Sequence, residues 1–155
     1  MALITLTGKD FLKALGVGVL TALILSAITV PAFLAGLPPA PEPPSLAFAE
    51  ALFGTTLPLA VGVLFHIAYV TAWSVIYVGL FREKLSFLRA LGLAAFLWAV
   101  ALAVFFPING WGFLGLDIGP KMIPFAAIPH LLFAIVLWGL CRAAFGRQAE
   151  AVRQH

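Results

Sequence analysis

The chain has 155 residues, of which 63% are hydrophobic and only 10% charged, and its mean hydropathy is +1.12. This balance excludes an ordinary soluble domain, and a net charge of +3 on so apolar a chain gives no reason to expect nucleic acid. The single cysteine, Cys141, excludes an internal disulfide.

Four long apolar stretches follow in chain order, over 11–37, 55–81, 90–106 and 122–141, and the first carries Lys13 as its sole charge. A helix needs about 20 apolar residues to cross a bilayer core. Each stretch reaches or approaches that length, whereas barrel strands would alternate polar and apolar residues over short segments. The pattern predicts an all-α bundle of four transmembrane helices in one membrane domain, 1–155. Lys9 and Lys13 before the first stretch also resemble the start of a secretory signal peptide. A repeat argues against that reading.

FLKALG at positions 11–16 recurs as FLRALG at 87–92. With these strings aligned, Ala27, Pro31 and Gly36 fall on Ala103, Pro107 and Gly112. The copy lies in mid-chain, where no signal peptide can be. An internal repeat of two tandem helical hairpins is expected, one over about 11–81 and one over about 87–145, with a tail at 146–155. Two copies of an even-numbered unit share one membrane orientation, so their relation should be a pseudo-two-fold axis along the membrane normal.

Basic residues give the orientation. Lys9 and Lys13 precede the first helix; Arg82, Lys84 and Arg89 join the second and third; Arg142, Arg147 and Arg153 follow the fourth. The other two loops hold Lys121 with Glu42, Glu50 and Asp117. The positive-inside rule then predicts a multi-pass protein of the inner (cytoplasmic) membrane with both termini cytoplasmic.

The first outer loop, LPPAPEPPSLAFAEALFG, opens with an extended proline-rich piece. Ser45 is placed to cap a short helix running to Phe53, with Glu50 toward water and Leu46, Phe48 and Leu52 toward lipid or protein. In the second, INGWGFLGLDIGPK, Trp111 suits the headgroup region, and Asn109 suits a helix end. Pro120 and Pro124 suit the start of the fourth helix. Pro129 removes the N–H that would bond the carbonyl of Phe125, so a kink or widened turn is expected between Phe125 and His130.

FHIAY and PHLLF place His66 and His130 at matched positions in the second and fourth helices. Intramembrane ionisable residues are functional candidates by default. Two such histidines suffice as axial ligands of haem b, with Gly62 and Ala126 leaving room for the macrocycle. Tyr69, Trp73 and Tyr77 extend the His66 face and complete a candidate cofactor or quinone pocket. The plainer alternative is that each histidine donates to a backbone carbonyl and glues helices together. Two nitrogens alone do not make a zinc site. No acidic residue lies within the apolar stretches, and no catalytic motif is present. Thr21, Ser26, Thr29, Thr71 and Ser74 are hydroxyls of the kind that bond the preceding turn.

FFPINGWGFLG followed by HLLF resembles small four-helix prokaryotic integral membrane proteins grouped as families of unknown function. The resemblance covers chiefly 105–140 and more faintly 30–80. It implies the fold and brings no activity with it. The first copy, VPAFLAGLPP, lacks the Asn, the Trp and one Gly, so a site on that turn should be asymmetric. The sequence thus points to a non-enzymatic accessory or stabilising component of a larger membrane assembly. It would contact the lipid bilayer and other membrane subunits or itself, with lipid-like or pigment-like molecules at its surface. The alternative is a bis-histidine haem electron carrier. A passage for a small neutral solute would need a polar-lined route, and none is evident.

Overall fold

A computed structural model describes residues 6–152, with side chains described as far as Gly146. The helices are α1 (Gly8–Leu34), α2 (Pro44–Phe53), α3 (Leu59–Phe81), α4 (Phe87–Val100), α5 (Phe106–Ile108) and α6 (Met122–Val152). No strand occurs among the described residues. Four helical spans, Gly8–Leu34, Leu59–Lys84, Phe87–Ile108 and Met122–Gly146, are long and apolar enough to cross a membrane. The chain is therefore an α-helical, multi-pass membrane protein in its architecture. Arg153 lies outside the described residues, as does the side chain of Arg147. The stretch anticipated as a tail is helical as far as Val152.

Local chemistry explains the helix limits. The Thr7 hydroxyl accepts the Asp10 N–H at 3.2 Å and caps α1; the Ser86 hydroxyl accepts the Arg89 N–H at 3.4 Å and caps α4. Ser45 does not cap α2. That helix begins at Pro44, whose fixed φ and missing N–H suit a first turn. Glu50, only partly buried, also has a structural partner: its Oε1 accepts the Leu57 N–H at 2.7 Å and ties the end of α2 to the approach of α3.

The spans gather at two levels. At the basic end, where α1 starts, α3 turns into α4 and α6 finishes, Arg82 pairs with Asp10 at 3.1 Å. The Arg82 guanidinium also lies 4.7 Å from the Phe145 ring centroid. Above it, α1 packs on both α3 and α6, and α4 packs on α6, around Ala14, Val78, Ala90, Leu137 and Cys141. Close approach depends on small residues: a Cβ on Gly18 would stand 2.7 Å from the Cα of Thr71. Thr21 and Ser74 donate to the carbonyls of Val17 and Val70, as hydroxyls in apolar helices are expected to do.

A second core occupies the loop end, around Phe106, Trp111, Met122 and Ala126. Trp111 is only 4% exposed and packs tilted against Phe106, ring centroids 5.2 Å apart. It is a core residue of the loop and not a headgroup anchor, because the turn folds back over the helix ends. Gly112 permits this with φ +74°, and the Asp117 carboxylate covers the space a Cβ would need.

One feature of the spans departs from the sequence reading. Helix α6 runs unbroken through Pro129; the widened turn lies instead in the third span, a π-helical stretch at Ala101–Phe105. There the Phe106 N–H donates to the carbonyl of Ala101, one residue further back than in an α-helix. Pro107, just beyond, supplies no N–H to the next turn.

Candidate functional site

A cavity of about 430 Å³ lies between the spans toward the loop end. His66 and His130 both line it, as do Tyr69 and Trp73. Tyr77 does not; it is fully buried nearer the basic end, where its hydroxyl donates to the Ser86 carbonyl at 2.9 Å. The aromatic stripe of α3 therefore divides, its upper part facing the cavity and its lower part closing the core.

The histidines reach the cavity from the third turns of α3 and α6. The sequence places both at similar depth because α3 begins at Leu59 and α6 at Met122. Their hydrogen bonding differs. His130 Nδ1 lies 2.7 Å from the carbonyl oxygen of Ala126. A carbonyl only accepts, so Nδ1 carries the proton, and Nε2 of the neutral ring is left as a lone-pair acceptor. His66 Nε2 is buried and makes no hydrogen bond within the described protein. One ring is pinned and the other has polar capacity in reserve.

The remaining lining is mainly apolar, with Ser26, Thr29 and Ser45 as further hydroxyls and no charged side chain. Helix α2 forms part of the wall from the loop end. A Cβ on Gly62 would stand 2.7 Å from the Cβ of Leu46, so α2 lies directly on α3 one turn above His66. This corrects the expectation that Gly62 leaves room beside the histidine: Leu46 takes that space. Ala126, by contrast, does line the cavity, while also belonging to the second core and having its carbonyl engaged by His130.

Between α3 and α4 the backbones approach each other little; large side chains bridge them. Phe48 meets Phe105 at 5.0 Å, Phe105 meets Tyr69 at 5.5 Å, and Tyr69 meets Trp73 at 6.3 Å. Trp73 in turn meets Phe96 at 5.9 Å. These edge-to-face rings form a wall along that side of the cavity. Phe105 ends the π-helical stretch, whose extra residue alters the register with which this ring meets the wall. Sequence reasoning placed Phe48 only toward lipid or protein and missed Phe105 and Phe96, whose only signal was the overall abundance of Phe, 14 of 155 residues.

On the opposite side, Phe33 of α1 and Phe125 of α6 meet at 6.4 Å. Ile28 and Ile128 line the cavity nearby while remaining 48% and 57% exposed. The cavity therefore opens toward the apolar exterior along the seam of α1 and α6. Asn109 is engaged elsewhere; its Nδ2 donates to the Pro44 carbonyl at 3.1 Å and fastens the second outer loop to α2.

Among the described residues no group of three or more His, Cys, Asp or Glu side chains is arranged to hold a metal ion. Comparison with protein families, with curated proteins and with solved structures finds no match to this chain.

Proposed function

We propose that this is a non-enzymatic membrane protein that holds a lipophilic molecule in its loop-end cavity, as an accessory component of a larger membrane assembly. The observation that carries the reading is the cavity of about 430 Å³ onto which both His66 and His130 open. Its size falls in the range of small-molecule sites, and an apolar wall with a few placed polar groups is how such sites are built. The unpartnered His66 Nε2 favours a ligand over mere helix packing, since a buried polar group left unbonded is unfavourable by about 1–3 kcal/mol.

The parallel-repeat reading is part of this proposal. It draws support from matched contacts at the basic end. Lys13 lies over Phe145 at 5.8 Å and Arg89 over Phe81 at 5.0 Å, and these pairs exchange under the repeat. The same cations favour a cytoplasmic basic end and an inner-membrane location.

The bis-histidine haem alternative rests on the same two rings, since a histidine pinned through Nδ1 presents Nε2 as a ligand should. It loses support from Leu46, which fills the space beside Gly62. One preparation separates the readings. Protein purified in mild detergent should yield a discrete lipophilic molecule on solvent extraction and mass spectrometry. Val63→Trp, which fills the cavity from α3, should lose that molecule. A reduced-state haem band that vanishes in His66→Leu or His130→Leu would install the electron carrier instead.

A further inference from the structure

We infer that the molecule held is a neutral amphiphile with a hydroxyl head, an alcohol or phenol, bound with that hydroxyl at His66 and His130. The inference rests on the ligand-holding reading above and adds the chemical class. Three observations select it. First, no charged side chain lines the cavity, so neither an anionic nor a cationic head would find its counter-charge on leaving water. Second, the Ala126 carbonyl fixes the His130 proton on Nδ1. His130 therefore offers the cavity a lone pair at Nε2 and needs a donor there. Third, His66 Nε2 is buried and unbonded. The one hydroxyl proton goes to His130, so the hydroxyl oxygen is left to accept the N–H of the neutral His66 ring, which lines the same cavity.

A hydroxyl combines donor and acceptor on one atom. A ketone, an ether or a quinone carbonyl accepts only, and would leave the His130 lone pair unanswered. A hydrocarbon answers neither ring. The apolar remainder of the molecule has a defined route. Ile28 and Ile128 mark the open seam between α1 and α6, and the Phe105–Tyr69–Trp73 wall closes the other side. The head thus sits inside, at the histidines, while the tail leaves between α1 and α6 toward lipid. An isoprenoid or fatty alcohol and an alkylated phenol or quinol share this chemistry.

The test uses the full-length protein in lipid nanodiscs and isothermal titration with matched probes. 4-Decylphenol, 4-decylanisole and decylbenzene share ring and tail; the first donates and accepts, the second only accepts, and the third does neither. The phenol should bind about tenfold more tightly than either other probe, the scale of one or two net hydrogen bonds. His130→Leu and His66→Leu should lower phenol affinity toward that of decylbenzene while decylbenzene itself still binds, which also reports an intact cavity. If either variant fails to fold, the anisole comparison in the unaltered chain tests the same donated bond. Farnesol against 4-decylphenol distinguishes the aliphatic source from the aromatic one. Equal affinity for phenol, anisole and decylbenzene would overturn the hydroxyl assignment and leave a purely apolar site. Binding of none of the probes would remove the ligand-holding reading as well.

Discussion

Glu42, in the loop between α1 and α2, has its carboxyl pushed above the usual carboxylate range, first by partial burial and then by the charge of Glu50. A folded-state pKa above the unfolded value means that the fold favours the protonated form. The associated stability is present below the unfolded pKa and is lost as pH rises through the folded one. Thermal unfolding in detergent should therefore show a small decline as pH passes upward through the acid carboxylate range, and Glu42→Gln should remove that part of the slope. Identical profiles for the two chains would place the titration elsewhere. Glu50 itself escapes a sequence reading, because its bond to the Leu57 N–H depends on where α3 begins. Trp111 misleads for the same reason: its indole suits an interface in composition, and only the fold of the loop decides that it is covered.

Among the elements, the four spans were legible because length and apolarity alone specify a crossing helix. The facing of His66 and His130 into one interior space followed from avoiding lipid with a polar ring. What was not legible lies in contacts between distant segments. Nothing local states that Leu46 of α2 settles on Gly62, or that the third span and not the proline-bearing fourth takes the wider turn. Two glycines of α1 make this distinction measurable. Gly18 abuts the backbone of Thr71, whereas a Cβ on Gly16 would meet nothing within 4 Å. Gly18→Ala should destabilise the folded protein by about 1–3 kcal/mol, an overpacking effect, because a backbone atom cannot move aside as a side-chain end can. Gly16→Ala should leave the melting temperature unchanged or slightly raised, helix propensity being its main consequence. A melting temperature for Gly18→Ala equal to that of Gly16→Ala would show that α1 and α3 are not in close contact.

For the whole molecule, orientation is testable by exposure from one side of a membrane. In a Cys141→Ser background, Lys121→Cys should react with an impermeant maleimide added outside intact cells, and Lys84→Cys only after permeabilisation. The reverse pattern would invert the protein in its membrane. The aromatic wall between α3 and α4 has a mechanical meaning as well. Two spans joined by the short turn at Arg82–Lys84 would ordinarily lie side by side, yet here Tyr69, Trp73, Phe96 and Phe105 stand between them. A bilayer squeezes whatever it surrounds, and an open interior yields to that squeeze unless something stiff resists it. The rings are struts bearing sideways compression, so the interior space endures whether or not a guest is present, and a guest can enter without first forcing the helices apart.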